Sequence, residues 1–160
     1  MKPVDDPARR EPEIRPMRPE ELELAVALWE RARWDAQHLL EERMAWGHDS
    51  NLAHFRDVVA REFTVWLAIE AGEVIGLLAV GGGRVDQLHV DPPHQGRGVG
   101  SVLIDHAKRL HPEGLTLHTL QGNEKARGFY ESRGFRVTRL GVSPPPESEP
   151  DVEYAWVPES

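Results

Sequence analysis

Three glycines within five residues separate a strand from a helix, and this loop constrains the fold more than any other part of the sequence. Val85–Val90 has the apolar character of a strand, Gly96, Gly98 and Gly100 follow it, and Val99–Leu110 places apolar residues on one helical face. Glycines let the backbone approach a ligand closely, and a helix start adds unpaired N–H groups and the positive end of its dipole. The segment therefore predicts a pyrophosphate-binding turn, and a plain structural turn is the alternative.

Two common phosphate-binding loops do not fit these residues. A P-loop needs a lysine followed by Ser or Thr after its last glycine, but Ser101 directly follows Gly100 and no lysine is present. A dinucleotide-binding fingerprint needs G-x-G-x-x-G, and the third glycine stands at the wrong spacing. A nucleotide-binding domain of either kind is therefore disfavoured.

The rest of the chain predicts one mixed α/β domain in the order β-ααα-β-β-β-α-β-α-β-β. The charged, proline-rich residues 1–11 predict a disordered tail, and residues 12–160 predict a single domain. Hydrophobic periodicity and turn residues give the remaining bounds. Strands are expected at Glu13–Arg18, Phe63–Glu70, Glu73–Val80, Leu115–Leu120, Phe135–Val142 and Val152–Val157, and helices at Glu20–Trp34, Leu39–Trp46, Leu52–Glu62 and Asn123–Arg133.

The composition argues against several classes of protein and of site. A net charge of −8 argues against nucleic acid as a partner, and no segment has the length and hydropathy of a membrane span or a signal peptide. Cysteine is absent, which excludes disulfides and a cysteine nucleophile and favours a cytoplasmic location. The eight histidines show no metal-ligand spacing, so no metal is expected.

Charge is unevenly distributed along the chain. Arg84–Arg139 holds 9 Lys and Arg against 6 Asp and Glu, and the remainder holds 10 against 21. One interpretation is a basic half for an anionic cofactor and an acidic half near a cationic substrate, and the other is ordinary variation in an acidic protein.

Two linked motifs resemble those of the GCN5-related N-acetyltransferase (GNAT) superfamily. Gln95, Gly98 and Gly100 match its Q-x-x-G-x-G pattern, and Asn123–Phe135 matches N-x-x-A-x-x-F-Y-x-x-x-G-F. The similarity covers roughly residues 12–158. It implies a mixed, mostly antiparallel sheet of six to seven strands, flanked by helices and splayed at its central strands.

The resemblance also implies an activity. The expected enzyme transfers an acetyl group from acetyl-CoA, as co-substrate, to a primary amine by direct attack in a ternary complex. The alternative is a non-catalytic module of the same fold that binds acyl-CoA. Many members of the superfamily are dimers, so the resemblance allows a homodimer.

The resemblance assigns the cofactor-binding residues by position. The backbone of the central strand would pair with the pantetheine arm, the glycine loop would hold the pyrophosphate, Arg97 would add a counter-charge, and Asn123 would lie beside the cofactor while capping its helix. Core packing explains Leu88 and Val90 equally well, and Arg97 fits a solvated loop. The full set is Leu88, His89, Val90, Gln95, Gly96, Arg97, Gly98, Val99, Gly100, Ser101 and Asn123.

Tyr130 and His118 are the expected catalytic residues. Tyr130 aligns with the tyrosine of the superfamily whose hydroxyl lies near the thioester sulfur, and a phenol with a pKa near 10 can protonate a leaving thiolate. The alternative for Tyr130 is core packing on the same face as Ala126 and Phe129. His118 is the first candidate for the base that deprotonates the amine, ahead of Asp86 and His89, and deprotonation through water is a further option. The acceptor is expected to be a small-molecule or peptide amine. It is expected to be cationic because the variable regions around the acceptor contain acidic residues that would attract a cation, namely Asp35, Glu41, Glu42, Asp49, Glu147 and Glu149.

Overall fold

The computed structural model describes residues 11–159, which form a seven-stranded sheet with helices on both faces. The predicted tail lies outside the described residues except for Glu11. Neighbouring strands run antiparallel throughout the order β1-β2-β3-β4-β5-β7-β6, except for the parallel pair β4–β5. The strands are β1 Glu13–Pro16, β2 Thr64–Glu70, β3 Glu73–Gly81, β4 Arg84–Val90, β5 Leu115–Leu120, β6 Arg136–Val142 and β7 Pro150–Trp156.

The first helical element has the two parts that the sequence predicts. The helices expected at Glu20–Trp34 and Leu39–Trp46 form the two halves of Leu22–Met44, which is kinked at Gln37, where a φ of −151° and a ψ of 48° are not helical. Glu41 Oε1 accepts hydrogen bonds from Arg33 Nε at 2.7 Å and from Gln37 Nε2 at 2.9 Å, so one carboxylate braces both sides of the kink. The kink lies between the two predicted helices, so the predicted break is confirmed, and the carboxylate bridge holds the two halves together.

The other helices follow the predicted order. The predicted helix Leu52–Glu62 begins earlier, at His48 after Gly47, and contains a π-helical stretch at Phe55–Val59. Val99–Leu110 is helical over the predicted residues, and Asn123 caps the helix that follows it. The helices are α1 Leu22–Met44, α2 His48–His54, α3 Ala60–Glu62, α4 Val99–Leu110 and α5 Glu124–Ser132.

The two central strands diverge, as the sequence predicts. β4 and β5 pair only at Arg84 with Thr116 and at Val85 with Leu117, whereas β4 stays paired with β3 as far as Val90. The β5-facing edge of β4 therefore has unpaired backbone N–H and C=O groups beyond Val85. Such groups need partners when they are buried, and a ligand with amide groups can supply them.

Two apolar clusters cover the two faces of the sheet. One cluster lies under α4 and α5 and contains Leu103, Leu117 and Phe135. The other lies under α1 and contains Val26 and Leu77. Because alternate residues of a strand enter opposite clusters, residues on one strand can approach the gap between β4 and β5 from either face.

Candidate active site

A cleft with a volume of about 1290 Å³ opens where β4 and β5 diverge. Its walls come from α1 on one face of the sheet and from the starts of α4 and α5 on the other. The structure brings together twelve of the thirteen site residues expected from sequence, and the exception is Arg97. The twelve are Leu88, His89, Val90, Gln95, Gly96, Gly98, Val99, Gly100, Ser101, His118, Asn123 and Tyr130.

The glycine loop forms an open cradle at the start of α4. Gly96 and Gly98 have φ values of 77° and 88°, in the left-handed region that favours glycine. The first hydrogen bond at this helix end joins Val102 N to Gly98 O at 3.1 Å, so the N–H groups of residues 99–101 precede the helical ladder. A Cβ added at Gly96 or Gly98 would meet no heavy atom within 4 Å. The arrangement fits a pyrophosphate group.

Gln95 organises this cradle with its side chain. Its Nε2 donates to the Val90 carbonyl oxygen at 3.1 Å, and its Oε1 accepts from Lys125 Nζ at 2.5 Å. The side chain therefore ties the loop to the end of β4 and to α5. One of the backbone carbonyls expected to face the pantetheine arm, that of Val90, already accepts this bond.

Lys125, rather than Arg97, provides positive charge at the cradle. Arg97 Nη2 contacts Glu70 Oε1 at 2.8 Å, and its Nη1 contacts His94 Nδ1 at 2.9 Å. These bonds hold the guanidinium outside the cleft and favour the solvated-loop interpretation of Arg97, while its counter-charge role stays a prediction. Lys125 lines the cleft. The sequence motif leaves position 125 unspecified, so sequence analysis missed it.

We expect Lys125→Ala to weaken coenzyme A binding about fivefold, because an exposed charge-assisted contact contributes about 1 kcal/mol. Arg97→Ala removes the same charge from the glycine loop itself, where the side chain contacts Glu70, and should change the dissociation constant less than about twofold. Calorimetric titration with coenzyme A measures both variants. A larger effect for Arg97→Ala would show that its guanidinium leaves Glu70 when the ligand binds.

Tyr130 enters the cleft from the face covered by α4 and α5. The Asn123 side chain accepts from Ala126 N at 3.1 Å and fixes the start of α5. Further along that helix, the Tyr130 ring packs against Phe135 and Tyr154, and the residue is 8% exposed. Burial raises the pKa of Tyr130 above its ordinary value of 10.0. The phenol therefore keeps its proton at neutral pH, as a general acid must.

His118 reaches the same cleft from the opposite face of the sheet. Leu115 and Leu117 enter the core under α4 and α5, so alternation along β5 directs His118 towards the α1 side. Its Nε2 lies 3.3 Å from Glu153 Oε2, and its side chain is 37% exposed. The candidate acid and the candidate base thus lie on opposite faces, with the gap between β4 and β5 connecting them.

His89 and Asp86 suit the role of base less well. Gln87 Oε1 lies 2.8 Å from His89 Nε2 and accepts from Trp29 Nε1 at 3.1 Å, an arrangement that assigns the His89 proton to Nε2. Burial, helped by the nearby Arg33, lowers the pKa of His89 to about 3, so its imidazole is a weak base. Asp86 also lines the cleft, with Gln87 Nε2 donating to it at 3.2 Å.

The lowered pKa of His89 makes the free energy of unfolding depend on pH. Unfolded chains protonate this residue near pH 6.5, whereas the folded chain does so near pH 3, so stability is present above pH 6.5 and falls as pH drops towards 3. Residue 89 is partly accessible from the cleft, which reduces the effect. Between pH 7 and pH 5, wild type should lose about 1 kcal/mol more than His89→Gln in urea unfolding. If the free energies of unfolding of wild type and His89→Gln depend on pH in the same way, the lowered pKa of His89 would be contradicted.

The acceptor side of the cleft is less acidic than the sequence suggests. Of the six acidic residues expected there, Asp35 and Glu147 line the cleft. Glu41 and Glu149 pair with Arg33 and Arg43 at 2.7 Å and 2.6 Å. The cleft therefore contains only part of the negative charge that the sequence predicts around the acceptor.

The described residues include no cluster of three or more His, Cys, Asp or Glu side chains able to hold a metal ion. No helix among them has the length and hydropathy needed to cross a membrane.

The sequence is similar to that of known acetyltransferases. A family model described as the acetyltransferase (GNAT) domain matches residues 61–137. The peptidyl-lysine N-acetyltransferase YjaB of Salmonella typhimurium is 34% identical over 126 residues, which span 78% of this chain and 83% of that protein.

Solved structures show the same architecture. The solution structure of apo-form YjaB from Escherichia coli is 33% identical and superposes with a TM-score of 0.72, covering 91% of this chain and 97% of that one. The PaiA N-acetyltransferase of Thermoplasma acidophilum, solved in complex with coenzyme A, shares the fold with a TM-score of 0.65 at 17% identity, covering 90% of this chain and 98% of that one.

Proposed function

The chain belongs to the GCN5-related N-acetyltransferase superfamily and transfers an acetyl group to an amine, and from that membership we propose that its acceptor is the lysine side chain of a peptide or protein. The YjaB relatives carry the name peptidyl-lysine N-acetyltransferase. The observation that supports the chemistry is the divergence of β4 from β5, which opens a passage between the faces that carry Tyr130 and His118.

Acetyl-CoA is the acetyl donor used by the superfamily, and the residues of the cleft fit it. The cradle at residues 96–101 offers N–H groups and a helix N-terminus to a pyrophosphate, and Lys125 adds a positive charge. The unpaired edge of β4 would pair with the amides of the pantetheine arm. When bound, acetyl-CoA supplies a thioester carbonyl that an amine can attack.

His118 and Tyr130 then accept and donate the protons of the reaction. A lysine amine with a pKa near 10.4 arrives protonated. His118 accepts that proton on the α1 side of the sheet, and the neutral amine can then attack the carbonyl carbon while the carbon–sulfur bond breaks. Tyr130 donates its proton to the departing thiolate and recovers one from the new amide nitrogen. Holding both reactants in one cleft allows direct transfer without an acetylated enzyme.

Charge at the mouth of the cleft favours a lysine side chain over an acidic amine. Asp35 is exposed on α1 and lines the cleft, and Glu147 lines it from the loop between β6 and β7. An exposed carboxylate attracts a cation weakly, and salt screens the attraction over about 8–10 Å. We therefore expect a modest, salt-sensitive preference for basic peptides.

A peptide panel tests the acceptor. Peptides with one internal lysine and a blocked N-terminus should be acetylated on Nζ, and glutamate should be a poor acceptor, with products identified by mass spectrometry. Asp35→Asn should raise the KM of a basic peptide about two- to fivefold at low salt and have less effect at high salt, whereas Asp49→Asn, exposed outside the cleft, should leave it unchanged. Equal turnover of acidic and basic amines, without salt dependence, would contradict the proposal.

A further inference from the structure

A row of polar side chains crosses three strands on the acceptor side of the sheet. His118 on β5 is the register partner of Glu153 on β7, and Glu153 is the partner of Arg139 on β6. Directly paired residues of neighbouring strands project from the same face. The three side chains therefore form one continuous row, of which His118 and Arg139 line the cleft.

The contacts of Glu153 fix its carboxylate beneath the imidazole. Thr138 Oγ1 donates to Glu153 Oε1 at 2.7 Å. The other oxygen, Oε2, lies 3.3 Å from His118 Nε2 and 3.8 Å from Arg139 Nη2. Each oxygen thus has a separate partner, so the carboxylate has little freedom to rotate away from the histidine.

Glu153 is also held in its ionised form. The hydrogen bond from Thr138 is the main cause of a lowered pKa for Glu153, and the charges of Arg139 and His118 add to it. An ionised carboxylate accepts hydrogen bonds and cannot donate them. Nε2 is the ring nitrogen that lies 3.3 Å from this carboxylate, so the neutral ring favours a proton on Nε2 and leaves Nδ1 without one.

We propose that Glu153 is a positioning residue for His118: its carboxylate holds the imidazole through Nε2 and leaves Nδ1 to accept the proton of the acceptor amine. The proposal rests on the proposed role of His118 as base. The carboxylate also stabilises the imidazolium that forms when Nδ1 takes that proton. Glu153 itself is absent from the cleft lining, so it acts through His118 and not on the substrate.

The other role open to Glu153 is structural, because its contacts with Thr138 and Arg139 also join β7 to β6. A structural role would lower stability and affect turnover whether or not His118 is present. A positioning role needs the imidazole. A double-mutant cycle separates the two.

The cycle compares wild type, Glu153→Gln, His118→Ala and the double variant with a lysine peptide. Glu153→Gln should lower kcat about tenfold or more, as loss of a group that orients a histidine does, with little change in the KM for acetyl-CoA. In the His118→Ala background, Glu153→Gln should lower kcat no further. Glu73→Gln removes the same charge at an exposed position outside the cleft and should change kcat less than about twofold.

Nitrogen-15 NMR of the imidazole groups supplies a readout that does not need turnover. The His118 signals, assigned by their absence from His118→Ala, should show the neutral ring protonated on Nε2 in wild type and a mixture of tautomers in Glu153→Gln. Thermal unfolding of each variant checks that the fold is intact. A ring protonated mainly on Nδ1 in wild type would overturn the proposal.

The kinetic outcomes are also decisive. An unchanged kcat in Glu153→Gln, or an equal fall of kcat in both His118 backgrounds, would overturn the positioning role. An unchanged kcat in His118→Ala would show that His118 is not the base, and this would also overturn the positioning role of Glu153. The proposed function would still stand if wild type acetylates the peptide. No acetylation of any lysine peptide by wild type would refute the proposed function separately from the NMR result.

Discussion

Tyr130→Phe is expected to fold normally and to lower kcat by roughly 10²–10⁴, the range for loss of one general acid, while the KM for acetyl-CoA changes little. The substitution removes one hydroxyl and keeps the ring, which packs against Phe135 and Tyr154 in the core under α4 and α5. Because burial raises the pKa of Tyr130, the lost group is a protonated phenol throughout the neutral range. The thiolate would then leave without a proton donor.

The other tyrosine of the chain is a matched control. Tyr154 is fully buried, and its hydroxyl accepts from Arg127 Nε at 3.0 Å and donates to Glu131 Oε2 at 2.9 Å. Tyr154→Phe should therefore lower the free energy of unfolding by about 1 kcal/mol and leave kcat unchanged. Pre-steady-state measurement of the transfer step avoids masking by product release. An unaltered transfer rate in Tyr130→Phe would assign Tyr130 to packing alone.

Gly98→Asp is expected to weaken coenzyme A binding about 100-fold or more. The new carboxylate would lie at the N-terminus of α4, where the pyrophosphate binds, and like charges brought together cost several kcal/mol. The substitution also places a side chain at a φ of 88°, which carries backbone strain. Loss of affinity should therefore exceed the effect of Lys125→Ala, which removes attraction without adding repulsion.

The strain needs its own control, and the chain offers one. Gly72, in the turn between β2 and β3, has a φ of 78° and open space around an added Cβ, but it does not line the cleft. Gly72→Asp should lower stability by a similar amount and bind coenzyme A like wild type in calorimetric titration. Equal affinity in Gly98→Asp and wild type would refute the cradle.

The sequence predicted the parts of the fold that depend on local chemistry. The glycine loop and the Asn123 cap require particular backbone angles or a side-chain oxygen, and the structure confirms both elements. The diverging sheet came from the resemblance rather than from periodicity. The catalytic and cofactor-binding assignments, the cytoplasmic location and the homodimer stay predictions.

The parts that the sequence missed depend on contacts between distant segments. The sequence left a counter-charge role and a solvated position open for Arg97, whose guanidinium contacts Glu70 on another strand, and it gave no signal for Lys125, which lines the cleft. Glu153 went unnoticed because its pairing with His118 depends on the register of β5 against β7. Single-sequence patterns indicate which residues form a strand, whereas register follows from the packing of the whole sheet.

Initial-rate kinetics test the central claim, direct acetyl transfer from acetyl-CoA to a lysine amine, most directly. Rates are measured over a grid of acetyl-CoA and lysine-peptide concentrations, with the mass of the enzyme recorded after incubation with acetyl-CoA alone. The account predicts intersecting double-reciprocal lines, since both reactants occupy the cleft together, and an unmodified enzyme mass. Parallel lines with an acetylated enzyme, which are the marks of a covalent intermediate, would contradict it.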